Sequence, residues 1–306
     1  MAATPPPTTP DAAADTAQEP CPTPLEWRVV VEEFRRLRTT GSVVPDDGPP
    51  INFTTFGAGL PVYILGPGHN DDELFSLLAW LLREECRAVF TDLPAVDWPV
   101  RCLPELQRQS AAVLQVANEL QHEQFAVVGV GTSSAVALDL CLNAPERISA
   151  LTLLQGGARL ELTWLERSIW TYGSLLPGTL GSLPGWRALQ QRNHRPWFPP
   201  FDASRFEFLA NHRAQTPIAQ ASRRMLLWAG LDFRAQLPEL KLPTLLIRTE
   251  AEARAVSGAM QELKAALPQA REEAMHTTGM YPYLTHPHRV AKLLRTFLES
   301  ASLLNA

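Results

Sequence analysis

Cysteine is scarce in this chain, four in 306 residues, and no two cysteines stand in C-x-x-C spacing. That excludes a zinc ribbon or a disulfide framework, and with no signal-peptide pattern the expectation is free thiols in a reducing compartment. No cofactor and no metal are expected. No apolar run reaches the length that crosses a bilayer. The net charge of −5 is spread along the chain without a basic stripe, which excludes nucleic acid and a polybasic membrane anchor. The partner classes left are a protein or a neutral small molecule.

Apolar mass is present: 45% of the residues are hydrophobic, enough for one full core or a core plus a cap. Residues 1–24 have little of it. They are rich in Pro, Ala and Thr, carry Asp11, Asp15 and Glu19, and contain no arginine. Burial cannot offset their ordering entropy, so a disordered tail is expected. A transit peptide, the competing reading, is Arg-rich and acid-poor.

From Ile51 onward the pattern alternates strands and helices. Strands are predicted over 51–56, 62–65, 88–91, 125–128, 150–154 and 244–247. Helices are predicted over 74–82, 135–142 and 290–297, and around the face Leu106, Val113, Ala117 and Leu120. The fold class this implies is α/β, a doubly wound, mostly parallel sheet. The rhythm stops between about 158 and 240, where Trp164, Trp170, Trp186 and Trp197 occur with a helical stretch over 206–228. An inserted helical cap on a core of 25–157 and 241–306 fits that break. The aromatic group Trp186, Trp197, Phe198 and Phe201 either packs the cap onto the sheet or forms a ligand or partner surface, with packing the more economical reading.

The run from Phe125 to Leu138 has the layout of a nucleophile elbow, in which a buried strand turns sharply into a helix and exposes a serine on the strained turn. In the natural register the elbow is Gly129-Val130-Gly131-Thr132-Ser133, so glycine stands at the serine position. A frame shifted by two makes Ser133 the nucleophile, but the strand end and the Pro145-Glu146-Arg147 stretch that closes the helix favour position 131. If the strained turn is kept, Gly131 should have positive φ, which glycine tolerates at no steric cost.

Taken together, residues 51–298 resemble the α/β-hydrolase superfamily, which implies positions for the other site groups. The oxyanion loop falls on Gly66-Pro67-Gly68-His69, where Pro67 lacks an N–H and Gly68 and His69 can supply amides. The acid falls on Glu252. The histidine falls on Met280 in Gly279-Met280-Tyr281-Pro282, and a thioether has no proton to exchange. His276, His286 and His288 lie nearby in sequence. The cleft residues expected to bind a partner or ligand are Gly68, His69, Val130, Thr132, Trp186, Trp197 and Tyr281.

Within the superfamily, 242–248, 266–271, 278–284, the cap stretches 206–213 and 219–225, and 93–98 resemble maspardins, although those keep a serine in the elbow. That resemblance implies a cytosolic adaptor, sometimes at endosomes, that binds proteins without catalysis. The expectation is therefore a cytoplasmic, protein-binding scaffold that is not an enzyme, with degenerate triad positions Gly131, Glu252 and Met280. Three alternatives stay open. They are a subunit of a larger assembly, a weak serine hydrolase using Ser133 or Ser134, and a carrier of a small apolar ligand under the cap.

Overall fold

A computed structural model describes residues 26–45, 48–68, 71–251 and 253–304. The expected tail over 1–24 lies outside the described residues, as do His69 and Glu252. Phe125-Ala-Val-Val-Gly-Val130 is apolar without interruption, the mark of a strand buried on both faces. Its neighbours follow from that, and the sheet is built outward from it.

Among the described residues eight strands run in the order β1-β2-β4-β3-β5-β6-β7-β8. They are β1 (Thr39–Val43), β2 (Ile51–Phe56), β3 (Leu60–Leu65), β4 (Cys86–Thr91), β5 (Phe125–Val130), β6 (Ile148–Leu154), β7 (Thr244–Thr249) and β8 (Arg271–Met275). The β1–β2 and β2–β4 ladders are antiparallel. Every other pairing is parallel, with Leu65 beside Gly129 and Val130 beside Leu154. The expected mostly parallel sheet is present. The edge strands β1 and β8 were not legible: Thr-Thr-Gly-Ser-Val and Arg-Glu-Glu-Ala-Met carry no apolar alternation, and backbone pairing to one neighbour holds them.

Side chains alternate across the pleat and divide the core in two. Tyr63, Leu65 and Val127 face helices α3 (Cys102–Glu119) and α4 (Ser134–Asn143). Val62, Ile64 and Val128 face the opposite layer, formed by α1 (Trp27–Leu37), α2 (Ser76–Leu82) and the C-terminal helix Pro287–Ser300. Gly129 allows α4 to start against β5, because a Cβ there would lie 2.7 Å from Ala137 Cβ and 3.0 Å from Ser134 Cα.

Between β6 and β7 the chain leaves the sheet for α5 (Trp164–Gly173), α6 (Trp186–Asn193), α7 (Ala203–Ala214) and α8 (Ile218–Ala229). The helical stretch expected over 206–228 is two helices, not one. Pro217, which cannot donate a backbone hydrogen bond, stands at the N-terminus of the second. Trp228 anchors this insertion: it is fully buried and its Nε1 donates to the Gly157 carbonyl at 3.1 Å.

Candidate functional site

The parallel strands β3, β5, β6 and β7 end on one edge of the sheet, where ligands of such folds gather. The loops after them, with the helical insertion above, enclose a cleft of about 380 Å³. Its floor is Pro67, Gly68, Val130, Gly131 and Gln155, and its opposite wall includes Trp170, Trp186 and Met225.

Gly131 sits where β5 becomes a 3-10 turn leading into α4, with φ +56°. This is the left-handed conformation expected of a retained elbow. A Cβ at 131 would meet only Pro67 Cβ, at 3.4 Å, so the turn has room for a side chain.

The two serines that follow point elsewhere. Ser133 Oγ donates to the Gly66 carbonyl at 2.6 Å and Ser134 Oγ to the Gly131 carbonyl at 2.7 Å, both from buried positions. Each hydroxyl proton is committed to the backbone and neither residue lines the cleft. The Gly68 amide, expected to be open to an oxyanion, instead donates to Asp71 Oδ2. Thr132 Oγ1 donates to the Pro67 carbonyl at 3.3 Å, which ties the elbow to the β3 loop.

Of the residues singled out in the sequence, Gly68, Val130, Gly131, Thr132, Trp186, Met280 and Tyr281 come together on the cleft wall. Trp197 does not: its ring packs against Gly279, where a Cβ would lie 2.6 Å from the Trp197 Cγ. Phe198 is buried edge-on against Phe206 at 5.7 Å, whereas Phe201 is 90% exposed. Trp186 thus lines the cleft, Trp197 and Phe198 pack, and Phe201 does neither. His276 is exposed, and His286 Nδ1 lies 3.0 Å from Thr285 Oγ1; neither reaches the cleft. On the loop after β7, Glu250 accepts a hydrogen bond from the Thr277 amide at 2.7 Å.

The cleft also holds groups the sequence did not single out. His194 lies edge-on to Tyr281 at 5.1 Å, and burial, followed by the positive charge of Arg213, lowers its pKa to about 4. It is neutral at pH 7. Arg213, Arg224 and Tyr283 line the same wall. Arg224 is only 5% exposed, and burial pushes its pKa below the ordinary guanidinium value while Asp71 and Asp92 oppose the shift. An arginine stays charged under such a shift. The one legible signal was Arg223-Arg224 directly before the apolar run Met225-Leu226-Leu227-Trp228.

No family model and no characterised protein matches this chain in sequence. Solved structures do match in shape. A thermophilic esterase from Thermogutta terrifontis, solved with malate bound, superposes with a TM-score of 0.69 at 18% identity over 86% of this chain and 99% of its own. The enol-lactonase of Burkholderia xenovorans gives 0.68 at 15% identity over 85% and 100%. A meta-cleavage product hydrolase from Pseudomonas fluorescens gives 0.65 at 19% identity over 85% and 98%. The fold is that of the α/β-hydrolases.

This likeness corrects the expectation that the chain is not an enzyme: the three proteins above, which share its α/β-hydrolase fold over most of its length, are named as an esterase, a lactonase and a hydrolase. The error was to extend two residue identities to the whole chain. Glycine at 131 removes only acyl-enzyme chemistry at that atom, and methionine at 280 only proton transfer there. At these identities the likeness establishes the α/β-hydrolase fold. Among the described residues no helix is long and apolar enough to cross a membrane.

Proposed function

We propose that this α/β-hydrolase-fold chain binds a small, largely apolar molecule in the cleft between the sheet edge and the helical insertion, with residues 158–240 serving as its cap. The observation that carries this reading is the cleft itself. Its volume of about 380 Å³ falls in the range of small-molecule sites, and its walls are mostly apolar with a few polar groups. Gly131 and Met280 take the serine and histidine positions of the superfamily in this reading, and they leave space and an apolar surface where those groups would stand.

Tryptophans 170, 186 and 228 line the cleft, so their fluorescence reports occupancy directly. Titration with medium-chain aliphatic compounds should quench or shift that emission saturably, and a Met280→Glu variant should weaken the effect by about tenfold or more. No response to any apolar compound up to its solubility limit would remove the reading. Turnover is measured on the same sample with p-nitrophenyl acetate and butyrate, and fluorophosphonate labelling with Ser133→Ala as control reports any serine-based chemistry.

A second reading, protein binding of the kind the maspardin resemblance implies, has its own support on α5. A capping box starts this helix: Thr163 Oγ1 accepts from the Glu166 amide and the Glu166 carboxylate accepts from the Thr163 amide. Trp170 faces the cleft, while Trp164, Ile169 and Tyr172 are 79%, 56% and 72% exposed. A stripe of that kind marks an interface more often than a bare surface. Light scattering on the purified chain tests the case of a second copy as partner. A mass above the 33.9 kDa monomer that collapses to it in Ile169→Glu supports the interface. A monomer at all concentrations removes the case of a second copy.

A further inference from the structure

Among the described residues nine buried side-chain polar atoms have no hydrogen-bond partner, and four of them belong to residues of the cleft wall: Arg213 Nε, Arg224 Nε, Trp186 Nε1 and Tyr283 Oη. Buried polar atoms are almost always paired, so four on residues of one cleft call for an explanation. They come from α6, α7, α8 and the segment after β8, four pieces of chain that the cleft brings together. Three of the four are pure donors and the tyrosine hydroxyl can donate. What they lack in common is an acceptor.

The charges point the same way. Two guanidinium groups stand on a wall that is otherwise mostly apolar, and desolvating an arginine is costly unless an anion meets it. Asp71 is the carboxylate whose charge reaches both, and Asp92 reaches Arg224 as well, but Asp71 Oδ2 is held by the Gly68 amide and its Oδ1 lies 3.4 Å from His212 Nε2. Arg224 spends one Nη on the Leu93 carbonyl at 3.3 Å, which fixes the guanidinium in place and leaves Nε unpaired. Trp170, Trp186, Met225 and Met280 supply the apolar part of the surface.

We propose that the cleft selects an organic monoanion, a carboxylate carried on an apolar chain, with the carboxylate oxygens received by Arg213 and Arg224 and the chain lying against the tryptophan and methionine side chains. This rests on the reading of the cleft as the ligand site and adds the class of ligand. Guanidinium groups suit a carboxylate through parallel N–H donors, which a neutral alcohol of the same length cannot engage in the same way.

The test compares octanoate, 1-octanol and acetate on the wild-type chain, by tryptophan fluorescence and calorimetry at pH 7.5. Octanoate should bind at least about tenfold more tightly than 1-octanol, since hydrogen bonds to a charged group are worth that much, and acetate should be weaker than both. Arg224→Gln and Arg213→Gln should each remove most of the preference for octanoate over 1-octanol while leaving 1-octanol affinity within about threefold. Arg213→Lys should recover part of it through charge without the fork. Circular dichroism confirms that each variant is folded, and the wild-type comparison stands without the variants. Equal affinity for octanoate and 1-octanol overturns the proposal and leaves the cleft as an apolar ligand site. Acetate binding as tightly as octanoate overturns the apolar half of it. If none of the three binds, this inference and the ligand-site reading both fall.

Discussion

His194 makes acid a specific stress on this fold. Its pKa is held near 4 in the folded chain by burial and by Arg213, whereas an unfolded histidine titrates near 6.5. Below pH 6.5 the unfolded chain takes up a proton that the folded chain refuses, so stability is lost as pH falls from about 6.5 toward 4 and levels off below that. At pH 4 the unfolded state gains roughly 2.5 pKa units of protonation and the folded state is half protonated, a difference of about 3 kcal/mol at 1.36 kcal/mol per unit. Other histidines, including His122 and His286, are lowered by burial too and add to the acid sensitivity. Comparison with His194→Gln, which cannot titrate, isolates the one side chain. Urea unfolding at pH 7.5 and pH 4, followed by circular dichroism, should show the wild type losing about 3 kcal/mol more than the variant over that interval. Parallel losses in the two proteins would mean that His194 is solvated and that the cleft wall is not closed around it.

Gly131→Ser should be accommodated, since a Cβ there meets only Pro67 at 3.4 Å, at a cost of about 1–2 kcal/mol for a non-glycine residue at positive φ. Paired with Met280→His it should give weak ester hydrolysis and fluorophosphonate labelling; absence of both at full folding would overturn the expectation that the turn and position 280 still hold the geometry of a working site. Ser133→Ala should cost about 1–2 kcal/mol in chemical denaturation, because it orphans the Gly66 carbonyl that Ser133 serves at 2.6 Å. Gly129→Ala should lower stability by about 1–3 kcal/mol through the contacts with Ala137 and Ser134, and an unchanged unfolding midpoint would contradict the close approach of α4 to β5. Trp228→Phe should destabilise by about 1–3 kcal/mol by leaving the Gly157 carbonyl unpaired, which the same denaturation assay reads.

The local pattern was enough to place β5, the turn at Gly131 and the helix after it, because an apolar run from Phe125 with glycine at 129 and 131 encodes a strand buried on both faces and a sharp turn. It also established that positions 131 and 280 carry neither a hydroxyl nor an imidazole. The edge strands β1 and β8 escaped it, since their residues owe their conformation to pairing with distant partners and not to their own alternation. The site escaped it for a related reason. His194, Arg213, Arg224 and Tyr283 belong to four segments with no shared spacing, and each looks like an ordinary polar position on its own helix or loop. Only the packing of the insertion across the sheet edge turns them to one cleft, and that packing is a property of contacts far apart in sequence.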